Sequence, residues 1–143
     1  GELSVAASIK VRSMISMIND MERIGDICYQ MSISVERKNE QKAQFMPEPT
    51  ASLEEMIVEV NKALQVMNNN LNTNYSQVVL TEADEVEIII NKLRNKLRKN
   101  YLQRIEKGEV KIETAMIYNN LIHSLEKVGD HIFNISEAIV GDQ

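Results

Sequence analysis

Apolar residues recur along four stretches of the chain in alternating steps of three and four, the spacing of a helix with one buried face. In the first stretch the stripe is Met14, Met17, Met21, Ile24, Cys28, Met31 and Val35. It predicts a helix from about Leu3 to about Lys38. Pro47 and Pro49, two residues apart, argue for a break. Ser52-Leu53-Glu54-Glu55 then reads as a capping box, with a second helix carrying Leu53, Met56, Val60, Leu64, Met67 and Leu71. That helix is expected to fray into the asparagines at 68–70, 72 and 74. Thr81-Glu82-Ala83-Asp84 is a further start signal, followed by Val86, Ile90, Leu93, Leu97, Tyr101 and Ile105. Gly108 is the natural stop for this third helix. The fourth, from near Val110 to about Val140, carries Tyr118, Leu121, Leu125, Val128, Ile132, Ile135 and Ile139. The expected fold is all-α, an antiparallel bundle of four long helices.

The first and fourth helices are copies of one another. Glu22-Arg23-Ile24-Gly25-Asp26 repeats as Glu126-Lys127-Val128-Gly129-Asp130, and Ile18, Met21, Met31 and Ser32 match Ile122, Leu125, Ile135 and Ser136 at the same offset. The chain therefore reads as the last helix of one repeat (1–40), a linker (41–52) and a complete three-helix repeat (53–143), all within a single domain. The start at Gly1, inside a repeat, reads as that of an excised fragment.

Composition narrows the function classes. The 143 residues include 5 Gly, 2 Pro and no Trp, which disfavours a turn-rich β fold. A net charge of −5 argues against a nucleic-acid partner. A single cysteine excludes an internal disulfide framework, and its place on the stripe predicts a small core residue. Neither a Ser/His/Asp nor a Cys/His arrangement is present, and no glycine loop suits a phosphate, so no catalytic residue is expected. Di-iron carboxylate enzymes need Glu-x-x-His facing inward, and no glutamate here has a histidine three residues later.

The chemistry lies in the duplicated acids. Glu22 with Asp26 and Glu126 with Asp130 are i,i+4 pairs, each spaced by a mid-helix glycine that costs about 1 kcal/mol against alanine. Heptad assignment places both pairs away from the apolar seam, facing outward. Paired carboxylates hold hard or borderline cations, and a glycine between them admits a metal or another backbone. The plainer reading is a solvated acidic face. Glu87 and Asn91 on the third helix are also i,i+4 and are expected to face Glu126 and Asp130 across a groove.

These residues resemble the PhoU family of phosphate-uptake regulators. Its signature helix, roughly Leu-Glu-Arg-Ile-Gly-Asp-His with an Asn-Ile-x-Glu tail, is similar to Leu125-Glu126-Lys127-Val128-Gly129-Asp130-His131 followed by Asn134-Ile135-Ser136-Glu137. Met21 to Asp26 is a second copy, with Ile27 where the histidine would stand. The resemblance implies two three-helix repeats, and Glu/Asp-x-x-x-Asp pairs that bind multinuclear iron or zinc clusters at the surface. Carried over by position, the metal-ligand candidates are Glu126, Asp130, Glu87, Asn91, Glu22 and Asp26, with His131 as an additional ligand; Asn91 departs from the family's usual Asp. Such modules occur free-standing and as cytoplasmic tails of bacterial Na⁺/phosphate cotransporters. The run from Leu97 to Ile105 resembles the cotransporter branch. That branch implies a membrane transporter as partner and a place on the cytoplasmic side of the membrane. The truncated repeat adds the expectation of a homo-oligomer built on the first helix. The alternatives are a free-standing regulator and a metal-free helical dimerisation module.

Overall fold

The computed structural model describes residues 4–141, so the expected start at Gly1 and Leu3 lies outside the described residues. Four helices follow one another: α1 (Val5–Glu40), α2 (Pro47–Leu71), α3 (Thr81–Glu106) and α4 (Ile112–Gly141), with a short 3₁₀ turn at Tyr75–Gln77. No strand occurs among the described residues, and none of their helices is long and apolar enough to cross a membrane.

Two of the predicted helix starts are corrected. α2 begins at Pro47, so the 41–52 linker shrinks to the segment 41–46. Proline costs nothing in a first helical turn, where its missing N–H would have had no acceptor, so the two prolines open the helix instead of breaking it. Thr81 is already helical, behind Leu80, and gives no side-chain cap. The asparagine stretch does not fray before Leu71, because Asn70 Nδ2 donates to Ser136 Oγ on α4 at 3.0 Å.

α1 and α3 both end in Schellman motifs. Lys42 N–H donates to Asn39 C=O and Ala43 N–H to Lys38 C=O; Gly108 N–H donates to Ile105 C=O and Glu109 N–H to Arg104 C=O. The left-handed position is filled by Gly108 (φ 71°) in one and by Lys42 (φ 52°) in the other.

α4 is the hub. It packs against α1, α2 and α3, and its predicted stripe from Tyr118 to Ile139 is buried throughout. α2 and α3 also pack on each other, whereas α1 packs mainly on α4. α3 runs opposite to α4, with Tyr101 stacked on Tyr118 at 4.0 Å between ring centroids, and Phe45 meets Tyr118 edge-on at 5.1 Å. The Tyr118 hydroxyl donates to Pro49 C=O at 2.9 Å, tying α4 to the start of α2.

The stripe on α1 is only half used. Met17 is buried and Ile24, Ile27 and Met31 pack against the core. Met14, Met21, Cys28 and Val35, expected in the seam, are exposed. Their counterparts in the repeat are Tyr118, Leu125, Ile132 and Ile139, all buried on α4. α1 thus carries the face that α4 uses for its other helices, with no helix of the described residues upon it.

Candidate functional site

The duplicated acids end in different environments. On α4, Gly129 lies against α3: a Cβ there would meet Ile90 Cδ1 at 3.3 Å and Glu87 Oε2 at 3.7 Å. This close approach is the reason for a glycine in mid-helix. It draws the polar row of α3 (Glu87, Asn91, Arg94, Arg98) alongside Asp130, Glu126 and His123.

The outward placement of Glu126 is overturned. Glu126 is 6 % exposed and forms an ion pair with Arg94 of α3. α3 covers the flank of α4 that the heptad assignment left to solvent, and Gly129 lets it come close enough to do so. Arg94 was legible in principle, because it stands seven residues after Glu87 and so on the same helical face. His123, next along, is 3.5 Å from an Arg98 nitrogen through Nδ1.

Glu87 and Asp130 are brought together as expected. Burial pushes the Glu87 carboxyl up to about 7, reinforced by its hydrogen bond with Asp130 and the negative charge there, while Asn91 and Arg94 oppose the rise. A proton held between two carboxyls replaces mutual repulsion by a hydrogen bond. Asp130 is partly exposed and lies 3.9 Å from Lys127 Nζ.

His131 leaves the acid groove altogether. Its Nδ1 is 2.8 Å from Asp20 Oδ1 on α1, and Asn134 Nδ2 donates to the same oxygen at 3.3 Å. Asp20 is buried at this crossing. Sequence reading missed it, since it sits within an apolar stripe and its partners are more than a hundred residues away. Glu22 and Asp26 are exposed, edging a shallow depression with Asn19 and Arg23, and Gly25 has nothing near its missing Cβ.

The donor set does not fit an iron or zinc cluster. Glu126 is neutralised by a guanidinium, Asn91 is a neutral donor, and Glu87 binds a proton near neutrality. No group of three or more His, Cys, Asp or Glu among the described residues is arranged to hold a metal ion. The chemistry this arrangement supports is a proton shared by two carboxyls beside a buried ion pair, holding two helices in register.

The family comparison covers the motif copy on α4 and not the one on α1. The family model of the PhoU domain matches residues 51–139, more than half of the chain. The chain is 25% identical over 134 residues to the phosphate-specific transport system accessory protein PhoU homolog 1 of Thermotoga maritima. The match covers 90% of this chain and 54% of the relative, so the chain spans about half the relative's length. No solved structure matches it significantly. With α3 and nearly all of α2 and α4 inside the matched segment, the chain belongs to the PhoU family.

Proposed function

We propose that this chain is a regulatory, non-enzymatic module of phosphate uptake, and that it serves as the cytoplasmic tail of a Na⁺/phosphate cotransporter. Membership of the PhoU family carries the regulatory part, and the named role of the Thermotoga relative in phosphate-specific transport supports it. The resemblance of Leu97–Ile105 to the cotransporter branch supports the tail over a free-standing regulator. The module acts through helix faces. Met14, Met21, Cys28 and Val35 offer an apolar seat on α1, repeating the one that α4 fills. A metal-free interaction module is favoured over a metal-dependent one by the Arg94–Glu126 ion pair, which places a fixed cation among the acids.

The test is phosphate uptake and membrane fractionation in the source cell. Deleting the coding segment should change the uptake rate and its response to external phosphate. The protein should sediment with membranes and co-purify with a sodium-dependent transporter. Unchanged uptake would refute the regulatory role; a wholly soluble protein with altered uptake would favour the free-standing form.

A further inference from the structure

At the end of the bundle remote from the acid groove, the segment 41–46 and the connection from α3 to α4 enclose an open cavity of about 490 Å³, lined among others by Lys42, Met46, Tyr101, Val110, Lys111 and Glu113. Such a volume falls within the range of roughly 300–1,000 Å³ typical of small-molecule sites. Tyr101 lines it while only 3 % exposed, and its hydroxyl makes no hydrogen bond with any described residue. Its neighbour Tyr118 has Pro49 C=O as acceptor. Burial raises the Tyr101 pKa, so the group stays a neutral donor.

The rest of the wall favours negative charge. α4 starts here without a side-chain cap: Lys111, whose carbonyl accepts the first helical bond from Ala115 N–H, has no acceptor to offer. The amides of residues 112–114 therefore have no intrahelical partner, and the positive end of the α4 dipole meets the cavity. Neither Lys42 nor Lys111 forms an ion pair within the described residues. Two acids line the wall. Glu109 is engaged by Arg104, which also holds Glu48, and Glu113 remains as the opposing charge.

Lys42 itself is an unusual choice. It holds the left-handed position of a Schellman motif, which Gly108 fills without strain in the twin motif on α3. Glycine at this position would relieve the backbone.

We propose that this cavity binds a small organic anion. Its phosphate or carboxylate head lies on Lys42, Lys111 and the free amides of α4, near the Tyr101 hydroxyl. Its apolar body lies against Met46 and Val110. The inference is independent of the acid groove and of the reading in phosphate uptake.

The experiment is an amide-resolved NMR titration of the intact chain with phenyl phosphate, benzoate and inorganic phosphate in turn, at constant ionic strength. Saturable shifts should appear at residues 41–44 and 111–114 with phenyl phosphate or benzoate, with a Kd of roughly 1 mM or tighter. Lys42→Gly and Lys111→Gln should each weaken binding by about three- to tenfold, since each removes one charge-assisted contact. Tyr101→Phe should weaken it by about threefold. Glu113→Gln should tighten it. Lys42→Gly should raise the melting temperature while losing affinity, which separates the binding role from a structural one. The proposal is overturned if no saturable shift appears, if the shifts lie elsewhere, or if the Lys42→Gly/Lys111→Gln double variant binds as the parent does. Equal affinity for inorganic and phenyl phosphate would overturn the assignment of an organic body.

Discussion

The paired glycines make a controlled perturbation, because the same substitution falls on two copies of one motif with different surroundings. Replacing glycine by alanine inside a helix is worth about 1 kcal/mol through backbone entropy. At Gly25 nothing stands within 4 Å of the new Cβ, so Gly25→Ala should realise that gain. At Gly129 the new methyl meets Ile90 Cδ1 at 3.3 Å and Ile90 Cγ2 at 3.5 Å. Ile90 is fully buried between helices and has little room to move. Overpacking of this kind costs about 1–3 kcal/mol, so Gly129→Ala should run from neutral to about 2 kcal/mol less stable than the parent. The two variants should differ by about 1–3 kcal/mol, displacing their urea midpoints by roughly half a molar or more, with Gly25→Ala the higher. Circular dichroism at the helical minimum reads both transitions. If Gly129→Ala is as stabilising as Gly25→Ala, α3 does not approach α4 at this point and the account of the acid groove fails with it.

Three further outcomes follow from the site. Arg94→Ala leaves Glu126 buried without its cation and should cost about 2–4 kcal/mol in denaturant melts, while Arg94→Leu/Glu126→Leu recovers most of the loss; a mild effect of Arg94→Ala would refute the ion pair. Because the Glu87 pKa is raised from 4.5 to about 7 in the folded protein, the unfolded chain loses this proton first as pH increases. Stability should therefore fall between about pH 4.5 and 7 by of order 1 kcal/mol after allowance for solvent screening, and Glu87→Gln should remove that component. A parent and Glu87→Gln with parallel pH profiles would refute it. Asp20→Ala removes the acceptor shared by His131 and Asn134 and should cost about 1–2 kcal/mol, seen as faster hydrogen exchange in α1 than in α2–α4; uniform exchange would show that the clasp does not hold α1.

Legibility in the sequence followed the number of neighbours each helix has. α4 is covered on several sides, so its 3-4 stripe and its burial coincide from Tyr118 to Ile139. α1 carries a stripe of the same kind, but the sequence cannot say which part finds a partner here: Met17 and Ile24 do, and Met21 and Cys28 do not. The juxtaposition of Glu87 with Asp130 was readable from spacing, because antiparallel neighbours with matched i,i+4 pairs meet side by side. The fate of Glu126 was not, since it depends on how near α3 comes at Gly129 and on an arginine not counted among the acids. Pro47 and Pro49 misled because proline ends a helix from within and begins one from its first turn, and local sequence alone does not distinguish the two.

The position of the hub at the end of the chain order has a consequence for how the protein is made. α2 and α3 are neighbours in sequence and can close on each other as a hairpin while the chain is still being synthesised. Among the described helices α1 packs mainly on one that begins at Ile112, more than seventy residues after α1 ends. Without α4, no other helix of the described residues covers the edge of α1 that packs on it or the inner faces of the α2–α3 hairpin, a state suited to capture by a chaperone or by another nascent chain. Completion of α4 then closes three interfaces at once. A chain cut before Ile112 lacks the one helix on which α1, α2 and α3 all pack among the described residues.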